Sequence, residues 1–286
     1  MPSQVSINPI TRLEGHGKIT IFLDGKGDVA RAYLQVPELR GFENFLVGRQ
    51  AEDAPQITSR ICGVCPTAHH TAATKALDDL FKVEPPRAAK MIREMLYSIF
   101  MLEDHALHLF FLGGPDFVVG PTAPKAERNV VGVIQKAGLE IGKRVIAMRK
   151  ELRGVIAELG GKVIHPVYGL PGGVAKPVTP DMQVRFKEVA SRGLQFAQFC
   201  EELFESVVLE NPAYVKAITS DAYTHRTHYM GLVDDKLHEN FYDGQVRVVD
   251  PDGKEFVKFH IRDYVDHLAE HVEPRSYVNV MCLKKE

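Results

Sequence analysis

The chain has 286 residues, 45% of them hydrophobic and 25% charged, which is enough for a sizeable core and one or two soluble domains. A net charge of −2 supplies no global field toward nucleic acid or an anionic membrane, so neither is expected as a partner. Four cysteines do not make a secreted disulfide framework, and Met1-Pro-Ser-Gln-Val5 lacks the basic cluster and apolar run of a signal peptide, so a cytoplasmic location is expected.

In chain order, Gly17–Leu23 and Val29–Val36 flank the glycine-bearing turn Asp24-Gly-Lys-Gly-Asp28 and predict a β-hairpin. A short helical piece follows around Gly41–Gly48. Pro66 suits the first turn of a helix running to about Phe81, and Pro85-Pro86 interrupts the pattern. Beyond it Ile92, Met95, Leu96, Ile99, Leu102, Ala106 and Phe110 recur at three- and four-residue spacing, one face of a long helix. The apolar stretch Ile92–Leu112 is broken by Arg93, Glu94, Glu103, Asp104 and two histidines, which reads as a buried helix and not a membrane span. Helices are predicted over about 124–159 and 180–209, separated by a glycine- and proline-rich loop, Gly160–Pro180, that carries His165-Pro166. Gln245–Val249 and Glu255–Phe259 around Asp250-Pro-Asp-Gly253 predict a second hairpin, and a short helix is expected over about Arg262–His271. No repeat or linker marks a boundary, so one domain over residues 1–286 is expected, mainly α with small β-hairpins (α+β).

The segment Arg60-Ile-Cys-Gly-Val-Cys-Pro-Thr-Ala-His-His70 carries the strongest chemical signal. A two-residue spacing lets the thiolates of Cys62 and Cys65 converge on one metal, and a following helix N-terminus favours the thiolate form. His69, one helical turn after Cys65, is placed to hydrogen-bond a sulfur. Taken alone, the spacing also suits half of a structural zinc site or a redox dithiol. Isolated Cys200 and Cys282 weigh against zinc, and helical neighbours in place of a βαβ unit weigh against the dithiol.

Three segments in fixed order, Thr11-Arg-Leu-Glu-Gly-His-Gly17, Arg40-Gly-Phe-Glu43 and Arg60-Ile-Cys-Gly-Val-Cys-Pro66, resemble the N-terminal part of nickel–iron hydrogenase large subunits. The likeness continues through Glu103-Asp-His-Ala-Leu-His108, the His165-Pro166 loop and Tyr223-Thr-His-Arg-Thr-His-Tyr-Met-Gly231, so it covers essentially the whole chain. It is most similar to the methyl-viologen-reducing, deazaflavin-non-reducing enzymes of methanogens that partner heterodisulfide reductase. In that family two C-x-x-C pairs hold nickel, and one cysteine of each pair bridges to an iron that carries cyanide and carbon monoxide. The resemblance implies that Cys62 is a terminal nickel ligand and Cys65 a bridging one. It implies Glu14 as a candidate proton relay and Glu43 as a ligand of a nearby divalent ion; an ordinary buried carboxylate paired with Arg12 or Arg40 is the alternative for each. Asp104 and His105 would neighbour the site without binding metal, and His165 would face an iron–sulfur small subunit. The partners implied are that small subunit, which holds the iron–sulfur clusters, and a heterodisulfide reductase assembly reached through a further electron-transfer subunit.

The family's second pair, in an Asp-Pro-Cys-x-x-Cys context, has no counterpart in these 286 residues, and Cys282 has neither partner nor preceding Asp-Pro. Two thiolates do not make a four-sulfur site. The expectation is therefore a truncated large-subunit homologue, a scaffold in a heterodisulfide-reductase-linked complex that is inactive toward H2 on its own. The alternative is one half of a split, active hydrogenase. The quinone-site subunit of respiratory complex I shares this ancestry but loses the cysteines, so Cys62 and Cys65 favour the hydrogenase branch.

Overall fold

Strands β1 (Gln4–Ile7), β2 (Lys18–Leu23) and β3 (Val29–Gln35) open the chain as an antiparallel sheet in the order β1-β2-β3. The computed structural model describes residues 3–284, with Tyr223 by its backbone alone. Contacts divide the chain into two compact units, Met1–Asn44 with Arg226–Glu286, and Phe45–His225. The five-residue helix α1 (Phe42–Leu46) crosses the first join.

Unit Phe45–His225 is helical. It runs through α2 (Ala54–Thr58), α3 (Pro66–Phe81), α4 (Arg87–Leu107), α5 (Val130–Ala137), α6 (Leu139–Gly160), the two-residue strands β4 (Gly169–Leu170) and β5 (Gly173–Val174), α7 (Pro180–Phe204) and α8 (Pro212–Ile218). Pro66 and Pro180 sit in first turns where their missing N–H is no loss, and the Thr179 hydroxyl caps α7 by accepting from Met182 N at 3.3 Å. Leu96 and Phe100 of α4 pack with Val155, Ile156 and Leu159 of α6, Tyr168 and Phe186. A second cluster joins Ala106, Phe110, Val145, Met148, Leu152 and Phe196. Each such side chain withdrawn from water contributes on the order of 1.5–3 kcal/mol, so α4, α6 and α7 form the core.

The helix expected over 124–159 is two helices. It begins at Asn129, whose side chain caps Gly132 N, and breaks at Gly138, where φ is 99°. Among the described residues one helical run, Arg87–Val119, is long and apolar enough to cross a membrane by composition. Its inner charges are answered by neighbouring elements: Arg93 by Asp78 of α3 at 2.5 Å, and Glu103 by Arg149 and Arg153 of α6 at 2.7 and 2.8 Å.

In the other unit, β6 (Tyr229–Val233), β7 (Gln245–Val249) and β8 (Glu255–His260) make a second antiparallel sheet, followed by α9 (Tyr264–His267) and the pair β9 (Leu268–Val272) and β10 (Asn279–Leu283). Val246, Val248 and Phe259 are buried, with Leu268 and Leu283 packed on them. The helix expected over 262–271 stops at His267, because Leu268 onward pairs with β10 in the register Leu268↔Leu283. The two chain segments of this unit are stitched by Gln35 Nε2 donating to Arg275 O, Val36 N to Ser276 Oγ and Tyr277 N to Val36 O, each 2.9 Å.

Candidate metal site

A tight descent from α2 presents the thiol pair. A 3-10 turn over Ser59–Ile61 ends at Cys62, which is extended (φ −134°, ψ 134°), and Cys65 is the N-cap of the sixteen-residue α3. The Cys65 N–H donates to Cys62 Sγ at 3.1 Å. This folds the thiol of Cys62 back over the N-terminus of α3. Cys62 is buried and Cys65 partly so. Gly63 leaves the turn uncrowded, since a Cβ added there would meet nothing within 4 Å.

Three elements brace this turn. Cys65 packs beside Tyr97 and Ala68 against the Leu96–Phe100 cluster. Burial raises the Tyr97 hydroxyl above its ordinary pKa, and Cys65 and Asp104 raise it further when they are ionised, so it remains a proton donor. Beneath Gly63, Val64 and Thr67, a cavity of about 10 Å³ reaches Glu103 and Arg153, room for about one water. Glu103 accepts from Arg149 Nε and Arg153 Nε, both at 2.8 Å. From the Gly160–Pro180 loop, His165 Nδ1 donates to Ser59 O at 3.0 Å.

His70, not His69, is the buried histidine of α3. Its Nε2 accepts from Tyr168 N at 3.2 Å and Gly169 N at 3.0 Å, and its ring lies 4.8 Å from that of Tyr168. Burial holds its pKa down at about 4, the Pro55 carbonyl opposing and the charge of Arg93 adding, so the imidazole is neutral. His69 is half-buried. His105 Nδ1 bonds Met101 O within its own helix at 2.7 Å.

Glu14, Glu43, Arg226, His228 and Cys282 lie in the strand-rich unit, Tyr223 and Cys200 in the helical one. Glu14, between β1 and β2, and Glu43, in the first turn of α1, are both exposed. Arg40 stands over the Tyr277 ring at 5.7 Å. Arg226 pairs with Asp252 at 2.8 Å and His228 meets the Phe256 ring edge-on; the side chain of Tyr223 lies outside the described residues. Cys200 sits in α7 with its thiol pushed up to about 11 by burial against the opposing charge of Arg144, and Cys282 is exposed on β10.

Among the described residues no group of three or more His, Cys, Asp or Glu side chains stands together as a metal cage. Cys62 and Cys65 offer two free, soft thiols, a donor type that fits one half of a four-sulfur centre.

Residues 40–138 match the family model described as Nickel-dependent hydrogenase, and residues 4–39 the one described as HoxL-like. The chain is 45% identical over 282 residues to an F420-non-reducing hydrogenase iron-sulfur subunit of Archaeoglobus profundus, covering 99% of this chain and 58% of that protein. To an F420-non-reducing hydrogenase vhu subunit of Methanocaldococcus jannaschii it is 44% identical over 282 residues, 99% of this chain and 66% of the relative. A crystal structure of an NAD+-reducing NiFe hydrogenase in the H2-reduced state superposes with a TM-score of 0.91 at 34% identity, covering 99% of this chain and 62% of the other. The chain therefore spans between 58% and 66% of the length of these relatives.

Proposed function

Because the chain belongs to the nickel-dependent hydrogenase family, we propose that it presents Cys62 and Cys65 as one half of a nickel–iron donor set whose remaining thiolates come from outside these 286 residues. The observation that carries this reading is the turn in which Cys65 N–H bonds Cys62 Sγ, because it gathers both thiols at one helix N-terminus before any metal binds. When bound, a nickel–iron centre supplies heterolytic H2 chemistry. This chain's own part is to hold two sulfurs and to keep the Tyr97 hydroxyl protonated beside Cys65. Glu14 as proton relay, Glu43 as ligand of a divalent ion and His69 as partner of a sulfur belong to the same proposal. So do an iron–sulfur small subunit bound across the Gly160–Pro180 loop, passage of electrons toward heterodisulfide reductase and a cytoplasmic setting.

Metal analysis of the freshly isolated complex tests it. The expected result is about one nickel per chain, lost together with H2-dependent dye reduction in Cys65→Ser, since a hydroxyl is a poor substitute for a bridging thiolate. Purified alone, the chain should neither take up nor evolve H2. A complex without nickel, assembled and otherwise active after Cys65→Ser, would replace this reading by that of a scaffold.

A further inference from the structure

We propose that His70 is a positioning residue for the thiol pair: it clamps the Tyr168–Gly169 backbone to α3, and the loop so clamped steadies the Ser59–Cys65 turn through His165. The metal-presenting role of the pair rests on the function proposed above; the mechanical coupling does not.

His70 is 0% exposed, and its Nε2 accepts from two successive backbone N–H groups. A nitrogen in that position cannot carry a proton, so the proton sits on Nδ1. That Nδ1 makes no hydrogen bond of normal geometry. A buried donor met only by a poorly aligned Pro55 carbonyl is destabilising, and a leucine of similar size would avoid it. What a leucine cannot do is accept, so the acceptor is the property this position uses. The same face of α3 adds two further grips. Thr71 Oγ1 bonds the Tyr168 hydroxyl, and Gly169 lies so close to Thr74 that an added Cβ would stand 2.7 Å from its methyl.

Three positions before Tyr168, His165 adopts φ 56° and bonds Ser59 O, three positions before Cys62. The strap therefore has one anchor on α3, after the cysteines, and a second on the turn that precedes them. Gly160 keeps it low: an added Cβ there would lie 2.4 Å from Pro166 Cβ. A purely structural histidine would hold Tyr168 and Gly169 with no effect on the thiols. A positioning histidine transmits to them.

Backbone amide exchange on the full chain, in its complex where it is isolated as one, separates the two. In His70→Leu, exchange at Tyr168 and Gly169 should quicken by about tenfold or more, and exchange at Cys65 should quicken with it. His70→Gln, whose Oε1 falls near the place of Nε2, should restore both. Co2+ alone serves as a probe through its thiolate charge-transfer band, and its affinity should fall about tenfold in His70→Leu and recover in His70→Gln. His165→Ala should loosen Cys65 while Tyr168 and Gly169 stay protected, and this variant decides the matter if His70→Leu does not fold. Quickened exchange confined to Tyr168 and Gly169, or a glutamine that behaves as leucine, overturns the proposal. So does a Cys65 amide indifferent to His165→Ala. If Co2+ fails to bind the unaltered chain while the exchange coupling holds, the metal reading falls and the strap stands.

Discussion

Two full charges are buried in α4, and their partners determine what each removal does. Arg93, with its side chain 1% exposed, gives its guanidinium to Asp78, Leu170 O and Gly173 O, tying α3, α4 and the β4–β5 hairpin at one point. Glu103, 3% exposed, answers both Arg149 and Arg153. Glu103→Ala leaves two guanidiniums without their shared carboxylate, and breaking a buried pair in this way destabilises by about 3–5 kcal/mol. Urea unfolding should show that loss; a change below about 1 kcal/mol would mean that both arginines turn out to water. His70 gives stability a pH dependence of definite sign. Unfolded, it takes a proton near pH 6.5, but folded only near pH 4. Between those values the unfolded state binds more protons, so the contribution is complete above 6.5 and lost as pH falls toward 4, on the order of 3 kcal/mol. Melting temperatures across that window should fall less steeply in His70→Gln; an identical slope would assign the effect to another group.

At the scale of elements, three turns share one construction. Asp24, Asp234 and Asp250 each accept on Oδ1 from the backbone N–H groups two and four residues on, at 2.8–3.0 Å. The third residue after each aspartate is left-handed: Gly27 at φ 90°, Leu237 at 67° and Gly253 at 80°. Leucine is strained there by roughly 1–2 kcal/mol. Leu237→Gly should therefore stabilise by about 0.5–1 kcal/mol net of glycine's extra chain entropy, raising the melting temperature by about 1–3 °C. A lower melting temperature would show that Leu237 makes compensating contacts. The same three turns explain what the sequence reveals and hides. The hairpins around Asp24 and Asp250 announce themselves by glycine, whereas β6 goes unread because its turn, Asp234-Asp-Lys-Leu-His238, has leucine in glycine's place. Helix α3 is legible to the residue from Pro66 to Phe81, yet its buried face is Thr67, His70, Thr71, Thr74 and Leu77, too polar for a hydrophobic pattern to mark. The spacing of those threonines was the available signal for choosing His70 over His69. Cys62 and Cys65 are visible because chelation demands short sequence spacing. The bracing from Glu103, Arg153, His165 and Tyr168 is assembled over long separations and leaves no local trace.

For the whole molecule, the division into units makes one of them testable by itself. Residues 45–225 are contiguous and hold the two helical core clusters. Produced as a separate polypeptide, they should unfold in a single cooperative transition, with Arg93 and Glu103 still paired; a gradual, non-cooperative loss of helix on heating would refute that autonomy. The strand-rich unit cannot be cut free so simply, because Gln35 and Val36 bond Arg275 and Ser276, partners 240 positions away. That separation imposes an order of events during synthesis. Strands β1–β3 leave the ribosome before the helical unit, but their hydrogen-bonding partners around Ser276 emerge only after that unit has been translated. Until then the exposed edge of β3 at Gln35 and Val36 is an unpaired template, vulnerable to the wrong strand. Chaperone dependence should accordingly concentrate in the first sheet, although the thiol pair lies elsewhere in the chain.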